Sequence, residues 1–258
     1  MKTLREQLRR LSAAAATGLM LVSSHALADP APTQRRITIP IHHVFRDKAL
    51  EFHKPGLTLV DGSQIEITRL EYLISNVRLQ RADGSWIVLS DQYFHVNAGE
   101  DQKTITLAGV DGNESLRGVM LTIGLDEKTN HADSTKWPDG HALNPLENNL
   151  NWDWKGGYVF LAIEGRIQPA DPRRPAFLYH VGGDKNRMDV QCALAKATAL
   201  RDLQFTFSID QLWDGQEHVS LTQESTFTHS RDGDELAPKL AKNASRAFTI
   251  TTPGEVKK

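Results

Sequence analysis

The stretch Ile37-Thr38-Ile39-Pro40-Ile41-His42-His43 decides the fold class. Isoleucine recurs at every second position, the period of a strand with one buried face. His42 and His43 continue the strand, so their rings point to opposite faces. By parity His43 joins the Ile37/Ile39/Ile41 side, towards the core. Pro40 has no N–H for a ladder and predicts an edge position.

The same texture recurs outward from this strand. Residues 64–68 and 73–79 alternate with β-branched side chains, a turn at 81–85 follows, and 86–89 reads as the return strand of a hairpin. Further strands are predicted at 93–96, 103–107, 116–125, 158–164, 177–181, 203–209 and 247–251. Residues 126–157, rich in Asn, Asp, Gly, Pro and His, read as a long loop, which in a compact domain marks function. Helical period is scarce; a short helix is expected near 235–242. The expected fold is all-β, an antiparallel β-sandwich or barrel with a long functional loop. No internal repeat or domain-splitting linker appears, so residues 37–258 are expected to form a single domain.

The N-terminus reads differently. Lys2, Arg5, Arg9 and Arg10 precede an apolar, small-residue run over 11–22, and Ala26-Leu27-Ala28 supplies small residues at a cleavage site. Residues 1–28 are therefore expected to be a secretory signal peptide, followed by a linker over 29–36, and the protein is expected in the periplasm. The apolar run is short for a membrane span. The leader holds four of the 30 Lys and Arg but one of the 32 Asp and Glu, so its removal makes the chain more acidic than its formal −2. With no long basic run, nucleic acid is not an expected partner.

Several chemistries are excluded. One cysteine, Cys192, rules out a disulfide framework and a cysteine-rich metal site. There is no P-loop, no G-x-S-x-G and no H-E-x-x-H. The informative residues are histidines. His43, His95 and His180 each lie in strand-like apolar surroundings, where a titratable ring needs a partner. Strands from distant sequence can bring imidazoles to one ion, and imidazole in an oxidising compartment favours copper, then zinc. Each ring also reads as a satisfied core histidine, and a metal-free β-sandwich recognition module is the alternative. Trp152-Asp153-Trp154 closes the long loop, and both indoles also read as end-packing aromatics.

Three blocks in order carry a family resemblance: Tyr72-Leu73-Ile74-Ser75-Asn76, Trp152-Asp153-Trp154-Lys155-Gly156-Gly157-Tyr158 and Tyr179-His180-Val181-Gly182-Gly183. Ile41-His42-His43-Val44-Phe45 and Tyr93-Phe94-His95-Val96 add to them. The chain resembles the MbnP-like copper-binding domain, the methanobactin-partner family of secreted bacterial proteins. The resemblance implies a non-enzymatic copper protein in copper handling, with copper as cofactor. It implies a MauG-like di-haem peroxidase as partner, and a copper carrier or chalkophore. By position, the implied ligands are His43, His95 and His180 in that order, with His42 the fallback for His43. The loop histidines His131 and His141 are the next place to look. In some members the di-haem partner oxidises a tryptophan to kynurenine beside the copper. Here Tyr93 stands two residues before His95, where that tryptophan is sought, so Trp152 and Trp154 are the remaining candidates for oxidation.

Overall fold

The computed structural model describes residues 35–101, 103–152, 157–168, 176–221 and 225–253. The expected signal peptide and residues 29–34 of the expected linker lie outside the described residues, as does Trp154. In chain order the strands are β1 (Arg36–Phe45), β2 (Lys48–Ala49), β3 (Leu57–Thr58), β4 (Gln64–Arg81), β5 (Trp86–Val88), β6 (Phe94–Asn97), β7 (Thr104–Ala108), β8 (Ser115–Ile123), β9 (Asn151–Trp152), β10 (Gly157–Gln168), β11 (Ala176–Gly182), β12 (Met188–Ala199), β13 (Gln204–Ser208), β14 (Phe227–Thr228) and β15 (Phe248–Thr251). The helices are α1 (Glu127–Asn130), α2 (Pro145–Asn148), α3 (Gln211–Asp214) and α4 (Leu236–Ala247).

Two sheets form a sandwich-like fold, as expected. The smaller runs β15-β13-β1-β2, with β7 also on β1. The larger runs β12-β8-β4-β10-β11-β14, with β3, β5 and β6 on β4 and β9 on β10. Pairing is mainly antiparallel, but β1–β13 and β11–β14 are parallel. The two sheets meet through aromatics. Tyr72 of β4 stands edge-on to Phe207 of β13 (5.5 Å, 87°) and Phe248 of β15 (5.9 Å, 82°), an arrangement the ring quadrupoles favour.

β1 keeps the predicted parity: Ile39, Ile41 and His43 are buried and His42 is exposed. Its edge position is corrected, because β1 has β13 on one side and β7 and β2 on the other. Pro40 is tolerated for a local reason. The Ile41 N–H points to Lys103 O on the β7 side. Alternate N–H groups point to opposite sides, so the nitrogen of Pro40 faces the β13 side, where registered pairing begins only at Ile41–Phe205.

β4 is one strand of 18 residues, where the sequence suggested two segments separated at 69–72. A bulge explains the broken alternation. Glu164 of β10 pairs with Arg69 and Gly165 with Ile67, leaving Thr68 as the extra residue. Core-facing positions therefore shift from Ile65 and Ile67 to Leu70 and Tyr72, all fully buried, and Arg69 and Glu71 turn to the opposite face. The long loop is also more ordered than its composition suggested. Two of its Asp and Asn residues cap helices: Asp126 accepts from Thr129 N (3.0 Å), and Asn144 accepts from Leu146 N (2.9 Å). Buried Asn130 accepts from Tyr158 N and donates to Asp184 Oδ1, each at 2.8 Å, pinning α1 to both.

β12 was not among the strands expected from the sequence. Its Ala-rich second half has weak strand preference, yet Met188, Val190 and Cys192 alternate as buried residues.

Candidate metal centre

The site follows from the register across four strands. Leu73 of β4 pairs with His95 of β6; Glu71 of β4 pairs with Ala162 of β10, which pairs with His180 of β11. Cross-strand partners share a face. His95, Glu71, Arg69, Glu164 and His180 therefore stand on the face of the large sheet turned away from the small sheet, and Tyr72 stands on the other.

These five residues form a continuous chain. His95 Nε2 lies 2.9 Å from Glu71 Oε2. Glu71 Oε1 accepts from Arg69 Nε at 2.8 Å. Arg69 Nη1 donates to Glu164 Oε1 at 2.8 Å, and the same oxygen lies 2.9 Å from His180 Nε2. Burial raises the proton affinity of Glu71, but hydrogen bonds from His95 and Arg69 outweigh it and hold the carboxyl below the usual range. For Glu164 burial acts the same way and His180 and Arg69 outweigh it. Burial opposes the charge of Arg69, and the two carboxylates more than restore it. With neutral imidazoles the cluster carries two negative charges and one positive.

An ionised carboxylate only accepts, so Nε2 of each ring carries the proton and Nδ1 carries the free lone pair when the ring is neutral. A carboxylate that fixes one ring nitrogen while the other faces a metal is the usual support of a metal-binding histidine.

The three histidines ranked from sequence do not meet. His43 lies inside the sandwich, its Nε2 2.9 Å from Tyr72 Oη, and its buried Nδ1 has no hydrogen-bond partner. Burial first, then the nearby charges of Lys103 and His42, push its imidazole down to about 3. His43 thus faces the opposite side of β4 from His95 and His180. Exposed His42 lies 3.2 Å from Gln204 Oε1. The loop histidines are apart from each other: His131 Nε2 lies 2.8 Å from Asp184 Oδ2, while His141 stacks on Trp137 (4.3 Å, 5°). Tyr93, His141 and His95 border one cavity of about 490 Å³.

His229 was not singled out in the sequence. The parallel register of β14 on β11 pairs Leu178 with Phe227 and Tyr179 with Thr228, which carries His229 beside His180. Their rings stack at 4.8 Å and 12°. Lone pairs of nearly parallel rings run in separate planes, so these two rings do not aim at one ion as they stand. The signal available was the Phe227-Thr228-His229 alternation. Trp152, buried against Gly182, lies 6.0 Å from His229.

Among the described residues, no three His, Cys, Asp or Glu side chains make a ready ligand cluster. His95 and His180 stand on strands separated by β4 and β10, and the Arg69 guanidinium links the two carboxylate–imidazole pairs. The donor chemistry nevertheless fits copper, since both rings are fixed, largely buried and offer Nδ1.

The molecule is thus a β-sandwich that holds histidines with carboxylates on a sheet face, without a compact metal motif among the described residues. The chain belongs to the MbnP family, whose model matches residues 34–240. Membership associates it with copper. Its fold is also that of the solved structure of MbnP from Methylosinus trichosporium, with a TM-score of 0.60 and 13% identity over 86% of this chain and 99% of that one. No curated protein sequence matches the chain. Among the described residues, no helix is long and apolar enough to cross a membrane.

Proposed function

We propose that this is a secreted, periplasmic, non-enzymatic copper-binding protein that takes part in copper handling, with His95 and His180 as its metal-binding histidines. One observation carries the reading: both imidazoles stand on one sheet face, each with Nε2 held by a carboxylate and Nδ1 left to bind. Membership of a family associated with copper supports the choice of metal. Copper bound by imidazole exchanges through ligand substitution, and the chain's own contribution is to hold the rings in the required tautomer. A copper carrier or chalkophore and a MauG-like di-haem peroxidase are the proposed partners. Trp152, near His229 and so near His180, is the described tryptophan best placed to be the peroxidase's substrate.

The test is copper titration of the secreted protein and of His95→Ala, His180→Ala and His43→Ala. Loss of tight copper in the first two, with retention in the third, supports the reading. Unchanged binding in both His95→Ala and His180→Ala overturns it. No binding by the unaltered protein leaves the metal-free recognition module.

A further inference from the structure

The feature left unexplained by copper binding is Arg69. Two glutamates beside two histidines, with no cation between them, would be a site for many divalent ions, because carboxylate oxygen suits magnesium, calcium and manganese while imidazole suits zinc and copper. In this chain a guanidinium takes one oxygen of each carboxylate, at 2.8 Å on both sides. It is held there by the fold, since the bulge at Thr68 turns Arg69 to the same face as Glu71 and sets it opposite Glu164. Its side chain is largely buried, 24% exposed, so its charge is poorly screened by water.

We propose that Arg69 is a specificity-determining residue: it ties up one oxygen each of Glu71 and Glu164 and sets a positive charge between them, so that the face favours imidazole ligation and excludes oxygen-preferring divalent cations. The inference rests on the proposed copper site and deepens it. A fixed positive charge between the glutamates repels a dication twice as strongly as a monovalent ion. The guanidinium also keeps one oxygen of each carboxylate, Glu71 Oε1 and Glu164 Oε1, engaged as an acceptor, so neither glutamate can grip a metal through both of its oxygens. The two glutamates are left with the task of orienting His95 and His180. Arg69 itself touches no metal in this account and acts through Glu71 and Glu164.

The test uses metals other than copper, so its failure is distinct from failure of the copper reading. Manganese(II) and zinc(II) are titrated by calorimetry into the full secreted protein, Arg69→Gln and Arg69→Lys. Arg69→Gln should bind manganese(II) at least about tenfold more tightly than the unaltered protein, since it frees two carboxylates and removes one positive charge. Arg69→Lys keeps the charge and should exclude manganese(II) as the unaltered protein does. Adding Glu71→Gln to Arg69→Gln should abolish the gain, which a merely loosened structure would not do. Near-ultraviolet circular dichroism checks folding, and Arg69→Met, neutral and of similar length, gives the same readout should the glutamine variant not fold. Manganese(II) affinity within twofold of the unaltered protein in the folded neutral variants overturns the proposal. So does an equal gain in Arg69→Lys. Gained manganese(II) binding in a protein that takes no copper would sustain the filter and refute the copper site.

Discussion

His180 Nε2 and Arg69 Nη1 bond the same atom, Glu164 Oε1, at 2.9 and 2.8 Å. Removing the charge of that carboxylate therefore disturbs the histidine and the guanidinium together. Glu164→Gln is expected to weaken copper binding roughly 10- to 100-fold, the usual cost of altering a group that supports a ligand histidine. Glu71→Gln should do the same through His95. Competition titration with a copper chelator measures both, and affinities equal to the unaltered protein would remove the carboxylates from the site.

The His43–Tyr72 pair makes a prediction about stability. Tyr72→Phe leaves both nitrogens of a buried imidazole without partners and is expected to cost about 1 to 3 kcal/mol. His43→Leu removes the unpartnered Nδ1 and fills the same apolar space, so it should be far less costly than Tyr72→Phe. Urea unfolding compares the two, and equal losses would refute the account.

Acid should destabilise the protein in two windows. His43, ordinarily near 6.5 and held at about 3 by burial, stays neutral in the folded chain while the unfolded chain takes up a proton. Its depressed value makes stability full above about 6.5 and decreasing as pH falls, by about 1.4 kcal/mol per pH unit down towards 3. Glu71 and Glu164, held below 4.5, contribute stability above that value and lose it as pH falls through their folded values. Unfolding free energies measured from pH 7 to pH 5 should therefore slope in the unaltered protein and flatten in His43→Leu.

Gly165 tests the bulge. A Cβ there would stand 2.1 Å from Glu66 O and 2.4 Å from Phe177 Cζ, so backbone or a buried ring must move. Gly165→Ala is expected to destabilise by about 1 to 3 kcal/mol or more and, because Glu164 is its neighbour, to weaken copper binding as well. A stable variant with unchanged copper affinity would show that the bulge does not position Glu164.

Trp152 gives a covalent test. After coexpression with a di-haem peroxidase, peptide mass mapping should find oxygen added at Trp152, and its absence from both Trp152 and Trp154 refutes the tryptophan-substrate reading.

Much of the fold was legible because alternation is a local property. The burial of His43 followed from counting by twos along β1, and the hairpin of β4 and β5 from its turn. The site was not legible in the same way. Arg69-Leu70-Glu71-Tyr72 looked like a gap between two strands, because charged residues and a bulge interrupt the period there. That gap holds two of the site's links, the guanidinium and one carboxylate, beside the tyrosine that bonds His43 on the other face. Which histidines share a face depends on register across β6, β4, β10 and β11, and no spacing in the sequence encodes it. His95 and His180 were singled out by their strand-like apolar surroundings and ranked as ligands by the family resemblance, whereas His229 needed the parallel pairing of β14, a contact between segments some fifty positions apart.

Beyond its bulge, β4 divides its labour by parity. Leu70 and Tyr72 belong to the interior, and Arg69 and Glu71 belong to the opposite surface. Selection can therefore act on the two sets nearly independently. A lineage can exchange the charged residues, retune the preferred metal or lose it altogether, while the inward-facing aromatics keep the sandwich intact. Chains with little sequence in common can share this architecture.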